Sequence, residues 1–241
     1  MRILIIRHGD PDYSIDGLTE KGKREVELLK NRMIKEDITK VYCSIYGRAR
    51  LTAKPFLDAL GIEAEYCDWL KEFNTNKVQL PYSEKPLGCW DILPNYVNSL
   101  TDIYHPTNWK NVEFVKNSNV PTSYDYVVEN LDKMLASHGY VRHKYNYIAK
   151  NPNHDTIVLV CHFGLTAVLL SHLLNCSPYS IWQHMCTLPT SVTTIYTEER
   201  EKGIAEFRLT CLGDTSHLTH YGEPDSFAAR FCECFTDDTR H

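Results

Sequence analysis

Two short apolar runs, far apart in the chain, constrain its fold more than any other feature. Ile3 to Ile6 lies inside the opening MRILIIRHGDPD, and Thr156 to Cys161 reads TIVLVC. Each is rich in β-branched residues and too short for a helix, which suits a strand buried on both faces of a parallel sheet. Each ends in a histidine followed closely by glycine: Arg7-His8-Gly9 after the first, His162-Phe163-Gly164 after the second. Open α/β sheets place their ligands at the carboxyl ends of such strands. One histidine there is easily incidental. Two at the same end of neighbouring strands are hard to explain by packing, because a buried histidine needs partners.

The intervening sequence supplies helices. Thr19 is a candidate N-cap, and Val26, Leu29 and Met33 recur at helical spacing, so Glu20 to Lys35 is predicted helical. Ile38 to Cys43 reads as a second strand, ending at Ser44. Ala49, Ala53, Phe56 and Leu57 share a helical face, and Gly61 suits the stop. Arg48 and Arg50 fall in that helix's first turn, where basic residues oppose the dipole unless an anion is bound. Ile62 to Cys67 is an expected edge strand. Periodicity then fails from Asn74 to Pro121, a stretch too long for a structureless loop in a compact domain. It reads as an inserted cap with short elements of its own. Its Tyr82, Trp90, Tyr96, Tyr104 and Trp109 are expected to form a small core there. Beyond it, Ser123 could cap a helix from Tyr124 to about Lys150, with Gly139 as a break or kink. Ser191 to Tyr196 and Ala205 to Cys211 alternate as strands around the charged turn Glu198 to Gly203. A loop and a closing helix over Phe227 to Phe235 are expected to follow, with His217 and His220 as structural or rim residues.

Composition narrows the function class. The chain has 241 residues, 43% hydrophobic and 24% charged, as ordinary globular proteins do. A net charge of −5 argues against general nucleic-acid binding. No apolar run is long enough to span a membrane, and Arg7 and Asp10 interrupt the only apolar stretch that could serve as a signal peptide. Nine cysteines at scattered spacings make a poor disulfide framework and suit reduced thiols in the cytoplasm. Cys232 and Cys234 are the only close pair and have no second pair to complete a metal site. No metal or cofactor is expected. The sequence is silent on oligomeric state.

Taken in order, Arg7-His8-Gly9, the run Ser44 to Ala53 (SIYGRARLTA), Leu70-Lys71-Glu72 and Val160 to Gly164 (VCHFG) resemble the histidine phosphatase superfamily, the phosphoglycerate mutase-like family. The resemblance implies a three-layer α/β/α sandwich with a mostly parallel central sheet. It implies one domain over 1–241, with the cap inserted at about 74–121. It implies that His8 is the nucleophile and becomes phosphorylated, that Arg7, Arg48 and His162 bind the transferring phosphoryl group, and that Glu72 protonates the leaving oxygen. Arg50 does not occupy the family's arginine position. Asp68 and Glu84 are reserve candidates for the acid, because Asn76 stands where the family often has glycine four residues after it. The family's other arrangement, an aspartate directly after the second histidine, is absent, since Phe163 is there.

The expected activity is metal-independent hydrolysis of a small phosphorylated metabolite. The alternatives are a cofactor-dependent phosphoglycerate mutase, disfavoured by the short loop from Asp10 to Leu18, and a non-catalytic phosphate-ester-binding protein. The chemistry is coherent without the family name. Phosphoryl transfer is mainly positioning and charge stabilisation, flanking arginines favour a neutral, nucleophilic His8, and an alcohol leaving group needs a proton.

Overall fold

The computed structural model describes residues 1–226. The expected closing helix over Phe227 to Phe235 and the Cys232, Cys234 pair lie outside them. The central sheet is built from β1 (Arg2–Arg7), β2 (Lys40–Ser44), β3 (Ala64–Cys67), β4 (Tyr140–His143), β5 (Asn146–Ala149), β6 (Thr156–Cys161), β7 (Val192–Glu201) and β8 (Ile204–Asp214). The main helices are α1 (Glu20–Met33), α2 (Gly47–Leu60), α3 (Val120–Ser137) and α4 (Phe163–Leu173).

Across the sheet the order is β3-β2-β6-β1-β7-β8-β5-β4. The first four strands pair in parallel and the remaining pairs are antiparallel. Only β7 and β5 oppose the others, so six of the eight strands share one direction. Alternation along β1 separates the two faces. Ile3 and Ile5 join a cluster with Leu131 of α3 and Leu169 of α4. Leu4 and Ile6 join a second cluster with Leu29 of α1 and Phe56 of α2. The result is a three-layer α/β/α sandwich around a mostly parallel sheet, as the sequence predicts.

Local signals explain the helix limits. Thr19 caps α1 by accepting from the Gly22 N–H at 3.0 Å. Gly61, at φ 66°, closes α2 in the left-handed region that glycine tolerates.

Two expectations need correction. The helix expected over Tyr124 to Lys150 begins at Val120, with Pro121 in its first turn and Asn119, not Ser123, at its N-cap. It ends at Ser137, because Gly139 takes φ 93° and turns the chain. The following residues form the β4–β5 hairpin, which buries Tyr140 and Tyr147 completely or nearly so. The expected turn from Glu198 to Gly203 is likewise shorter. Its acidic residues Glu198 to Glu201 remain in β7, and the reversal occurs at Lys202-Gly203, with Gly203 at φ 78°.

Residues 74–119 hold a two-stranded ribbon, Lys77–Val78 with Leu87–Gly88, and the short helical turns Pro94–Val97, Asn108–Asn111 and Glu113–Lys116. Val78, Leu80, Ile103 and Trp109 are fully buried and belong to the cluster on the α3–α4 face. Trp109 packs edge-on against Tyr124 with ring centroids 4.9 Å apart. Tyr82 meets Tyr96 in the same way, but Tyr82 and Tyr104 are both exposed and so do not join a core of the segment. Among the described residues no helix is long and apolar enough to cross a membrane, and no cysteine is in a disulfide.

Candidate active site

Register places the two histidines side by side. Arg7 at the end of β1 is paired with Cys161 at the end of β6, and the His8 N–H donates to the Cys161 carbonyl at 3.0 Å. His8 and His162 therefore leave adjacent parallel strands at the same edge, with ring centroids 5.0 Å apart. Both are buried, as are Arg7 and Arg48. Four of the five expected site residues are thus buried together at the carboxyl end of the sheet.

The His8 ring is fixed from one side. Its Nδ1 lies 2.7 Å from the Gly9 carbonyl, an acceptor that requires the proton on Nδ1 and leaves the lone pair on Nε2. Burial lowers the His8 pKa well below its ordinary value, and the neighbouring Arg7 and Arg48 guanidinium groups lower it further. Gly9 itself serves packing: a Cβ there would lie 3.0 Å from Val26 Cγ1 and 3.2 Å from the Gly22 carbonyl of α1. The Gly9 N–H donates to Thr52 Oγ1 at 2.9 Å, tying the His8 turn to α2.

Each arginine is held by one end of its fork. Arg7 Nη1 donates to the Thr187 carbonyl at 2.6 Å. Arg48 Nη1 donates to Asp16 Oδ1 at 2.5 Å, and Asp16 Oδ2 accepts from the Gly47 N–H at 2.6 Å. Tyr46 and Tyr13 stack near the Arg48 guanidinium, at 4.7 and 5.4 Å from ring centroid to Cζ. The Nε atoms of both arginines and Nδ1 of His162 are buried with no hydrogen-bond partner. Buried donors left so are costly, and an anion with several oxygens would satisfy them. His162 Nε2 lies 2.9 Å from Ser44 Oγ, which sits at the end of β2. Burial lowers the His162 pKa strongly, with His8 and then the arginines adding to it.

Glu72 lies on a loop opposite, just after the turn Asp68–Leu70. Its Oε1 accepts from the Phe73 N–H at 2.8 Å and the Leu165 N–H at 3.2 Å, the latter at the N-terminus of α4. Burial raises its pKa, opposed by those hydrogen bonds and by Arg7 and Arg48, whose charges it feels directly. Gly164 makes the approach possible. A Cβ there would lie 2.9 Å from Glu72 Oε1 and 2.8 Å from Trp90 Cη2. Asn76 takes φ −86°, which any residue can adopt, so this loop does not require glycine there.

The reserve carboxylates lie elsewhere. Asp68 pairs with Lys71 at 2.7 Å on the surface, and Glu84 is exposed in the inserted segment. Arg50 is exposed over the Tyr66 ring, 4.7 Å away. His217 is buried with Nε2 3.1 Å from Thr190 Oγ1, and His220 is exposed. Among the described residues no three His, Cys, Asp or Glu side chains are grouped to hold a metal ion.

Residues 3–88, which include Arg7, His8, Arg48 and Glu72, match the model of the histidine phosphatase superfamily (branch 1). That match places the first third of the chain, with four of the five expected site residues, in the pattern of this superfamily. A probable phosphatase of Schizosaccharomyces pombe is 24% identical over 236 residues, covering 90% of this chain and 95% of its own. Phosphoserine phosphatase 1 of Hydrogenobacter thermophilus is 21% identical, covering 88% and 93%. The fold is also that of a phosphoserine phosphatase from Entamoeba histolytica, solved with phosphoserine, at a TM-score of 0.59 and 18% identity over 90% of this chain and 98% of that one. The same enzyme has been solved with 3-phosphoglyceric acid.

The sequence alone gives no site role to several residues at this candidate site. Ser44 lay inside a quoted motif without a role, and Trp90 was assigned to the core of the insertion. The Trp90 ring instead stands 5.8 Å from Phe163 and packs over Gly164. Asp16-Gly17 reads as a turn dipeptide, and Asp16 does take a positive φ of 48°, but nothing local announces its bond to Arg48.

Proposed function

We propose that this chain is a metal-independent phosphomonoesterase acting on a small phosphorylated metabolite through a phosphohistidine intermediate. What carries the reading is the buried grouping of a neutral His8, its Nε2 lone pair free, with Arg7, Arg48 and His162.

His8 Nε2 attacks phosphorus as the bond to the ester oxygen breaks, and Glu72 gives its proton to the departing alcohol. The Glu72 carboxylate then takes a proton from water, whose oxygen attacks phosphorus. The P–N bond breaks, its electron pair returns to Nε2, and phosphate leaves. Arg7, Arg48 and His162 bear the charge on the equatorial oxygens throughout. Burial of Glu72 favours the protonated form that the first step needs.

The short loop between His8 and α1 favours hydrolysis over mutase chemistry, because it puts the carboxylate of Asp16 beside Arg48, a poor neighbour for a bisphosphorylated cofactor. The scattered cysteines support a cytoplasmic location.

The test is phosphate release from para-nitrophenyl phosphate in chelator-containing buffer by wild type and His8→Ala. Turnover by wild type and loss of at least a thousandfold in the variant is expected. Equal rates would remove His8 as nucleophile.

A further inference from the structure

We propose that Asp16 is a specificity-determining residue, restricting the site to phosphate esters of alcohols that carry no net negative charge. The inference rests on the phosphatase reading and names the class of substrate it would take.

The geometry of Asp16 is built, not incidental. Its carboxylate is clamped between Arg48 Nη1 at 2.5 Å and the first N–H of α2, that of Gly47, at 2.6 Å. Its backbone is held at φ 48°, in the left-handed region that aspartate adopts more readily than most side chains. Gly47 accommodates it: a Cβ at that position would overlap the Asp16 carbonyl and lie 3.2 Å from Oδ2. The side chain is 45% exposed while that of Arg48 is only 7% exposed, so Asp16 forms the solvent-facing side of the clamp.

Charge in the recess then follows. Arg7 and Arg48 together supply two positive charges, and Asp16 removes one of them. The one positive charge left falls short of the charge of about −1.5 to −2 on a phosphate monoester, so none is spare for an anionic alcohol. Of the cations flanking Glu72 and Arg48 in sequence, Lys71 pairs with Asp68 at 2.7 Å and Arg50 lies over the exposed face of Tyr66. The remaining neighbours at the mouth are rings, with Tyr13 and Tyr46 over Arg48 and Trp90 against Phe163. A carboxylate on the alcohol would meet the Asp16 charge without a cation to answer it. An ammonium on the same alcohol would be drawn to it.

Phosphoserine and 3-phosphoglycerate form a matched pair for the test, since they differ by an ammonium in place of a hydroxyl on one carbon. Wild type is expected to show kcat/KM about tenfold or more higher for phosphoserine, with the preference shrinking in high salt. Asp16→Asn is expected to bring the ratio close to one. A variant that merely loosens Arg48 would lower both substrates equally and leave the ratio alone, because both carry the same phosphate. An unchanged ratio in the variant, or a wild-type preference for 3-phosphoglycerate, overturns the proposal. Dissociation constants for the same pair, read by calorimetry in a His8→Ala background with and without Asp16→Asn, need no turnover. Loss of activity towards every ester would therefore strike the phosphatase reading, while the ratio of the two constants still decides the role of Asp16. Failure of both ligands to bind, or of phosphoserine alone, would also overturn it.

Discussion

The Oε1 atom of Glu72 accepts a hydrogen bond from the backbone N–H of Leu165, 3.2 Å away, although Leu165 lies 93 residues further along the chain, just past the second-histidine motif. The bond ties the candidate proton donor to the first turn of α4, the helix that begins just after His162. It aligns one carboxyl oxygen with backbone donors and leaves Oε2 as the group to exchange a proton.

Glu72→Gln should separate substrates by leaving group. The amide can keep accepting from Phe73 and Leu165 but cannot give up a proton to an alkoxide. Turnover of alkyl phosphates is expected to fall by about 10² to 10⁴, in the range of lost general acid catalysis. Aryl phosphates with acidic phenols should lose far less in the phosphorylation step. Single-turnover rates across a series of phenols check this, and a uniform loss would place the donor elsewhere.

The pH profile of kcat/KM follows from the two shifts. His8 must be neutral to attack, and burial with its flanking arginines carries its pKa well below the ordinary 6.5, so activity should persist into acid solution. Glu72 must begin protonated, and burial raises its pKa above the ordinary 4.5, so activity should fall as pH rises through that higher value. A profile skewed to acid pH is expected, and Glu72→Gln should remove its alkaline limb.

Gly164→Ala should damage catalysis more than stability. Alanine is the better helix former by about 1 kcal/mol, but its methyl would sit 2.9 Å from Glu72 Oε1 and inside the contact distance of Trp90. We expect kcat/KM to fall at least tenfold with a Tm change of only a few degrees. Tryptophan fluorescence should shift as the Trp90 ring moves.

Glu25 should make the fold more stable in mild acid. It is fully buried on α1, accepts from the Asp10 N–H at 2.9 Å, and burial pushes its pKa up to about 7 from an ordinary 4.5. A carboxyl whose pKa is raised by folding gives its full stabilisation below the unfolded value and loses it as pH rises through the folded one. Stability should therefore decline between about pH 4.5 and 7. Glu25→Gln keeps the acceptor and should flatten that decline, adding on the order of 2 kcal/mol at pH 8. Urea unfolding at pH 5 and pH 8 measures both.

The sheet and the two histidines were legible because their signals are local: an apolar run of strand length, then His and Gly. Arg48 and Glu72 were legible only as members of an ordered set, since neither an arginine in a helix's first turn nor a lone Leu-Lys-Glu carries meaning alone. The apparent departure at Asn76 dissolves in a backbone conformation that asks for no glycine. The β4–β5 hairpin was missed because Tyr140 to Ala149 follows a strong helical stripe, and one left-handed glycine decides where the stripe stops. Asp16 and Trp90 were hidden for a different reason. Their partners, Arg48 and Gly164, lie far along the chain, so only the folded register brings them together.

If His8 is phosphorylated as proposed, the contact between His8 Nδ1 and the Gly9 carbonyl selects the nitrogen that would carry phosphorus. With that nitrogen occupied as a donor, the proposed intermediate would bear phosphorus on Nε2 and not on Nδ1. The two regioisomers differ in lability and in ³¹P chemical shift. A trapped enzyme showing the other isomer would mean that the imidazole had rotated out of the orientation its own neighbour imposes.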